Sequence, residues 1–306
     1  MSRIDNVTAK MKEEGLTQVL LTDSDAIFYL TGEMQHCGER FYGLLLKDDG
    51  SYKLFLNKLF YNNVIADEDV IYFTDSTNGA VLASEYTDHS KALGIDKNMR
   101  AEFVLKLQES NAGSSYVNGS EIVDMFRAIK DKDEQQLMIN ASIINDQAML
   151  KIKTFVKEGV TEIQLADKLG EIYTELGAEG FSFPPIVSFG AHAADPHHEP
   201  DETVLHKNQC VLFDIGCVKD GYCSDMTRTF LQKNDKIEEI YEIVKQANIL
   251  AEQAIKPGKK LKDIDKVARD YIASFGYGQY FTHRLGHGIG LEIHELLSQY
   301  HGLICE

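Results

Sequence analysis

The stretch from Phe213 to Phe230, FDIGCVKDGYCSDMTRTF, constrains the chain most, because its centre can turn in few ways. Asp220-Gly221 tolerates the positive φ that a two-residue type I′ turn demands, and apolar and β-branched runs flank it, so a β-hairpin is predicted. With that turn, paired positions sum to 441, which sets Asp214 opposite Thr227 and Asp225 one diagonal step away. Side chains alternate with period two, so both carboxylates leave the same face, roughly 7 Å apart. Like charges this close repel. Either both stay solvated, or a divalent cation between them turns the repulsion into ligation.

At 306 residues the chain is long for one core, and two domains are expected. A net charge of −17 disfavours nucleic acid and anionic membrane as partners, since their phosphates are repelled at long range. The opening MSRIDNVTAKMKEEG has no apolar signal core, and no uninterrupted apolar run is long enough to span a bilayer, so a cytoplasmic location is expected. Five cysteines, Cys37, Cys210, Cys217, Cys223 and Cys305, fit reduced thiols better than a disulfide framework. Cys217 and Cys223 lack the paired spacing of a zinc site and are expected to pack the hairpin rather than bind metal.

Along the first half, Ile4, Val7 and Met11 recur at helical spacing, and Thr17 to Thr22 follows as a buried strand. Strands are also predicted at Ala26 to Thr31, Tyr42 to Leu46, Tyr52 to Leu56 and Val70 to Phe73, and helices at Asn57 to Ile65 and Arg100 to Gln108. The character changes near Glu121 to long, charged, helix-favouring text, with a boundary at Arg127 to Asp133. Helices are then predicted over Glu134 to Val156 and Glu162 to Leu176, the second opened by Thr161 and Gln164 in capping-box spacing, with a strand at Ile186 to Phe189. After the hairpin come helices at Lys236 to Ile255 and Leu261 to Phe275.

Two histidine-bearing stretches flank the hairpin. GAHAADPHHEPDETVLH carries His192, His197, His198 and His206, and such clustering raises the chance that one imidazole faces a site, although loop histidines are often idle. FGYGQYFTHRLGHGIGLEIHE carries His283, His287 and His294 among glycines that disfavour a helix. His294-Glu295 begins like the HExxH zinc signature, but Ser298 stands where its second histidine is required.

Two hairpin aspartates, a preceding Pro196-His197 and a later HRLGHGIGLEIHE resemble the metallopeptidase family of prolidase, aminopeptidase P and methionine aminopeptidase. The resemblance is greatest to its Xaa-Pro branch. It implies an α/β chain: a creatinase-like N-terminal domain over 1–126, then an incomplete pita-bread catalytic domain over 127–306 with a curved antiparallel sheet. It further implies Asp214, Asp225 and His287 as metal ligands, with Asp225 bridging. His197 would contact substrate or leaving group, His294 would stabilise the tetrahedral intermediate, and His283 would line the proline-side pocket. The implied cofactors are two divalent ions (manganese, cobalt or zinc), with a hydroxide bridging them as nucleophile. The implied substrates are proline-containing dipeptides or short peptides, and the implied assembly is a homodimer.

The resemblance stops after Glu295, where LLSQYHGLICE lacks the family's two further glutamate ligands, so a truncated or frame-shifted chain is expected. Two aspartates and a neutral histidine bring charge −2 against +4 for two divalent ions, so reduced occupancy and impaired activity follow. Two other readings accompany this one: a creatinase-like metal-free amidinohydrolase, and a non-catalytic pita-bread binding or dimerisation module.

Overall fold

The computed structural model describes residues 2–231 and 235–296, and its contacts divide the chain into units 1–127 and 128–306. In the first unit, α1 (Arg3–Glu13) starts from a Ser2/Asp5 capping box and buries Val7 and Met11. The strand β1 (Gln18–Leu21) follows, with all four residues buried.

The next segment corrects the sequence reading. Ser24–Thr31 is a helix, α2, and not the strand expected at Ala26 to Thr31. Asp23 accepts the Ala26 N–H, Gly32 at φ 77° closes the other end, and Ala26, Ile27 and Leu30 are buried at helical spacing. A short apolar run satisfies either period, and the two caps decide between them.

Three further strands are β2 (Gly43–Lys47), β3 (Tyr52–Asn57) and β4 (Val70–Phe73). The helix expected at Asn57 to Ile65 is absent. The Asn57 side chain accepts the Leu59 N–H, and the Asn62 side chain accepts those of Val64 and Ile65, so side chains take the amides that a helix would use. The unit continues with α3 (Gly79–Ser84), β5 (Ala92–Ile95), α4 (Ala101–Glu109), β6 (Ser115–Asn118) and α5 (Ser120–Ala128), which runs into the second unit. The six strands form one mixed sheet in the order β4-β3-β2-β1-β5-β6. Its core includes Leu20, Leu45, Phe55, Leu93 and Leu107.

The second unit opens with α6 (Lys132–Ile152), capped by Asp131 and Glu134. It stops short of the expected Val156 because Lys153–Phe155 tighten into a 3₁₀ turn. Helix α7 (Glu162–Leu176) has the predicted bounds, and both bonds of the Thr161/Gln164 capping box are made. Strands β7 (Gly180–Phe181), β8 (Ile186–Phe189), β9 (Val211–Ile215), β10 (Cys217–Lys219), β11 (Tyr222–Cys223) and β12 (Met226–Phe230) form two antiparallel sheets, β12-β9-β8 and β11-β10-β7. Helices α6 and α7 cover them through a core that includes Ile152, Leu165, Leu169, Tyr173, Val187 and Phe213. Each such fully buried side chain contributes about 1.5–3 kcal/mol. Helices α8 (Asp235–Ala254) and α9 (Leu261–Ser274) pack on each other through Ile243, Ala247, Ile264 and Ala268. Among the described residues, no helix is long and apolar enough to cross a membrane.

Candidate metal centre

The turn of the central hairpin is type I′, with Asp220 at φ 51° and Gly221 at φ 78°. Both of its N–H groups donate to the Glu179 carboxylate, at 2.8 and 3.2 Å. The predicted register is the observed one: Asp214 pairs with Thr227 in β9 and β12, and Val218 with Cys223 in β10 and β11. Burial alternates along β9, so Val211, Phe213 and Ile215 face the core while Asp214 takes the opposite face. Asp225 lies one residue ahead of β12 and lines the same cavity as Asp214.

Gly216 is the hinge at which the ribbon passes from one sheet into the other. A Cβ there would collide with the Ser224 carbonyl oxygen and the Ser182 hydroxyl, so only glycine permits this approach. Cys217 and Cys223 are buried on either side, with sulfurs against the Ala141 and Leu291 carbonyls, and they pack the ribbon as expected.

The glycine-rich stretch reaches the aspartates because its backbone is tied down. The Cys223 N–H donates to the Gly290 carbonyl at 2.8 Å, and the Glu295 N–H to the Gly288 carbonyl at 2.9 Å. The buried Glu295 carboxylate accepts from the Leu291 N–H at 3.1 Å and from the Lys130 ammonium at 2.6 Å. A Cβ on Gly290 would meet that carboxylate at 2.6 Å. Glu295 is thus a buried anchor for the segment that carries His287, a role with no signature in the local sequence.

His287 stands 3.2 Å from Asp225, Nε2 to Oδ2. Its Nδ1 lies 3.0 Å from the Gly288 carbonyl, an acceptor only, so Nδ1 carries the proton and donates it there. In the neutral ring Nε2 then presents a lone pair to a carboxylate oxygen. Two acceptors face each other, and a proton or a cation between them resolves the conflict. The hydrogen bond to Asp225 raises the His287 pKa, against burial. Burial likewise raises the Asp214 pKa, with the charge of Asp225 adding to it, while the Thr227 hydroxyl, donating at 2.7 Å, and His287 act the other way. A divalent cation suits this donor set of two carboxylates and one imidazole lone pair, because it removes both the like-charge penalty and the acceptor conflict.

All six residues expected at the site line one cavity of 460 Å³: Asp214, Asp225, His287, His197, His283 and His294. Phe183, Pro184, Pro185 and Ile186 give it an apolar side. The His294 ring meets that of His287 edge-on at 4.4 Å, and burial, then the neighbouring His287 charge, lowers the His294 pKa. His197 is exposed, with its N–H bonded to Asp195 at 2.9 Å. His283 is also exposed and turns Nδ1 to the Arg284 carbonyl at 2.7 Å. His192 and His198 each turn a ring nitrogen to the carboxylate of Glu162, and His198 also borders the cavity.

The chain matches two family models, the Creatinase/Prolidase N-terminal domain over residues 3–129 and Metallopeptidase family M24 over residues 136–303. It belongs to the M24 metallopeptidases, with a creatinase-type domain ahead of the pita-bread domain. It is 35% identical to an uncharacterized peptidase of Staphylococcus aureus over 96% of this chain and 85% of that protein. The fold is similar to that of a dipeptidase from Pyrococcus horikoshii, with a TM-score of 0.91, 32% identity, and coverage of 99% of this chain and 87% of that one. A prolidase from Thermococcus sibiricus is similar at TM-score 0.91 and 31% identity, with 99% of this chain and 86% of that one covered.

Proposed function

We propose that this chain hydrolyses the peptide bond on the amino side of proline in dipeptides and short peptides. Asp214, Asp225 and His287 would hold the divalent ions, of manganese, cobalt or zinc. One observation carries the proposal: His287 turns a lone pair onto Asp225, in a cavity that Asp214 and three further histidines also line. The similarity to a prolidase supports the proline preference.

Bound there, such ions would acidify a water and polarise a carbonyl. The chain's own groups have separate tasks. Thr227 holds the Asp214 carboxylate in place. His294, whose pKa is lowered, stays neutral at pH 7 and can donate a hydrogen bond to a developing oxyanion without contributing a repelling charge. His197 would meet the leaving group, and His283 with Pro184 and Pro185 would enclose the proline ring.

The test is Ala-Pro hydrolysis with added manganese or cobalt, beside metal content, for the parent, Asp225→Asn and His287→Ala. The parent is expected to cleave Ala-Pro above both variants and to hold more metal than either. Equal rates in all three would refute the site, and faster cleavage of Ala-Ala than of Ala-Pro would refute the proline preference.

A further inference from the structure

Behind the loop that carries His197, four polar side chains converge that have no part in the proposed hydrolysis. Glu162, the first residue of α7, is fully buried. Its Oε1 accepts from the Phe189 N–H at 2.7 Å and faces His192 Nδ1 at 3.0 Å. Its Oε2 faces His198 Nε2 at 2.6 Å and accepts from the Asp201 N–H at 3.3 Å. The two imidazole ring centres lie 4.1 Å apart with their planes tilted by 38°, both turning a nitrogen to this one carboxylate. Donor atoms of Glu162, His192, His198 and Asp201 all lie within 4.8 Å of one another.

We propose that these four side chains form a binding site for one divalent ion of the zinc or cobalt class, distinct from the Asp214/Asp225/His287 centre. Two imidazole nitrogens and two carboxylates are the donor types such ions take in tetrahedral sites. With neutral imidazoles the group carries charge −2, which one divalent ion cancels. Hydrogen bonding alone asks one carboxylate to serve two adjacent rings.

The geometry needs little change. Metal–donor bonds near 2.0–2.1 Å put neighbouring tetrahedral donors about 3.3 Å apart, so the shortest contact opens by less than about 1 Å while the wider ones contract. Each imidazole would move its remaining proton to the other ring nitrogen, and no net proton release is required. The Phe189 and Asp201 amides fix the Glu162 carboxylate before an ion arrives, as partners behind metal ligands commonly do. Access is open from one side, since Asp201 is exposed and the His192 side chain is 35% exposed. His198 also lies on the wall of the 460 Å³ cavity, so an ion here would fix the loop on which His197 sits.

The test titrates cobalt and zinc into the parent and into an Asp214→Asn/Asp225→Asn variant, in which the hairpin acids cannot supply the site. One equivalent of cobalt with visible tetrahedral absorption in that variant, displaced by zinc, is expected. His192→Asn/His198→Gln keeps amide donors for Glu162 and should retain the far-ultraviolet spectrum of the fold while binding at least tenfold more weakly. Asp201→Ala, at an exposed position, should weaken binding in the same direction. No cobalt uptake in the Asp214→Asn/Asp225→Asn variant, or uptake unaltered by the histidine and Asp201 substitutions, overturns the proposal. Neither outcome bears on Ala-Pro hydrolysis.

Discussion

Asn145 ties β9, the strand that carries Asp214, to the helical layer through groups that water does not reach. Asn145 is 1% exposed and Tyr173 2%. The Tyr173 hydroxyl donates to Asn145 Oδ1 at 2.6 Å, and Asn145 Nδ2 donates to the Ile215 carbonyl at 3.1 Å, one residue beyond Asp214. Tyr173→Phe removes one donor, opens no appreciable cavity and deprives one buried oxygen of its partner, which costs about 1–3 kcal/mol. Asn145→Ala takes a partner from both the Tyr173 hydroxyl and the Ile215 carbonyl, so a cost of about 2–5 kcal/mol is expected. The two changes share a bond and should fall short of additivity by about 1 kcal/mol or more. Urea unfolding followed by circular dichroism at pH 7, on the parent, both single variants and the double variant, measures all three quantities. Single variants within about 0.3 kcal/mol of the parent would refute the reasoning, because a buried bond of this kind cannot be lost so cheaply.

Thr227→Val keeps the side-chain shape but removes the hydroxyl that holds Asp214, so manganese affinity by calorimetry should fall about 10–100-fold; unchanged affinity would show that Asp214 needs no such support. Gly216→Ala drives a methyl group against the Ser224 carbonyl, so a stability loss of at least about 1–3 kcal/mol is expected in the same urea assay. Burial pushes the Cys37 thiol up to about 11, which leaves about one thiolate in a thousand at pH 8. Burial raises the Cys210 and Cys217 thiols as well, so iodoacetamide mapped by mass spectrometry should modify all three slowly in the folded protein, faster as the pH rises, and rapidly in urea.

What the sequence made legible follows the range of the interactions concerned. The pairing of Asp214 with Thr227 could be read because a two-residue turn at Asp220-Gly221 fixes every pair behind it. Helix α7 was equally plain, since Thr161 and Gln164 announce its start. Ala26 to Thr31 reads as a strand by its short apolar run, yet the caps at Asp23 and Gly32 make it a helix. At Asn57 to Ile65 the asparagine side chains, not the apolar spacing, decided the conformation. The Glu162 cluster lay beyond local reading altogether. Its glutamate precedes the histidines by 30 and 36 positions, and it looks from sequence like an ordinary first-turn acid. Lys130 and Glu295, 165 positions apart, escaped for the same reason.

The passage at Gly216 places Asp214 in the inner ladder, Asp225 at the break just ahead of β12, and the tip of the ribbon beyond. Residues added or lost at the tip would change the outer sheet first, while Asp214 is held within the β9 and β12 ladder, whose first pair, Ile215 with Met226, adjoins both acids. Descendants of such a chain can therefore remodel the turn itself more readily than the inner ladder, which works as a jig for Asp214 and for the residue next to Asp225.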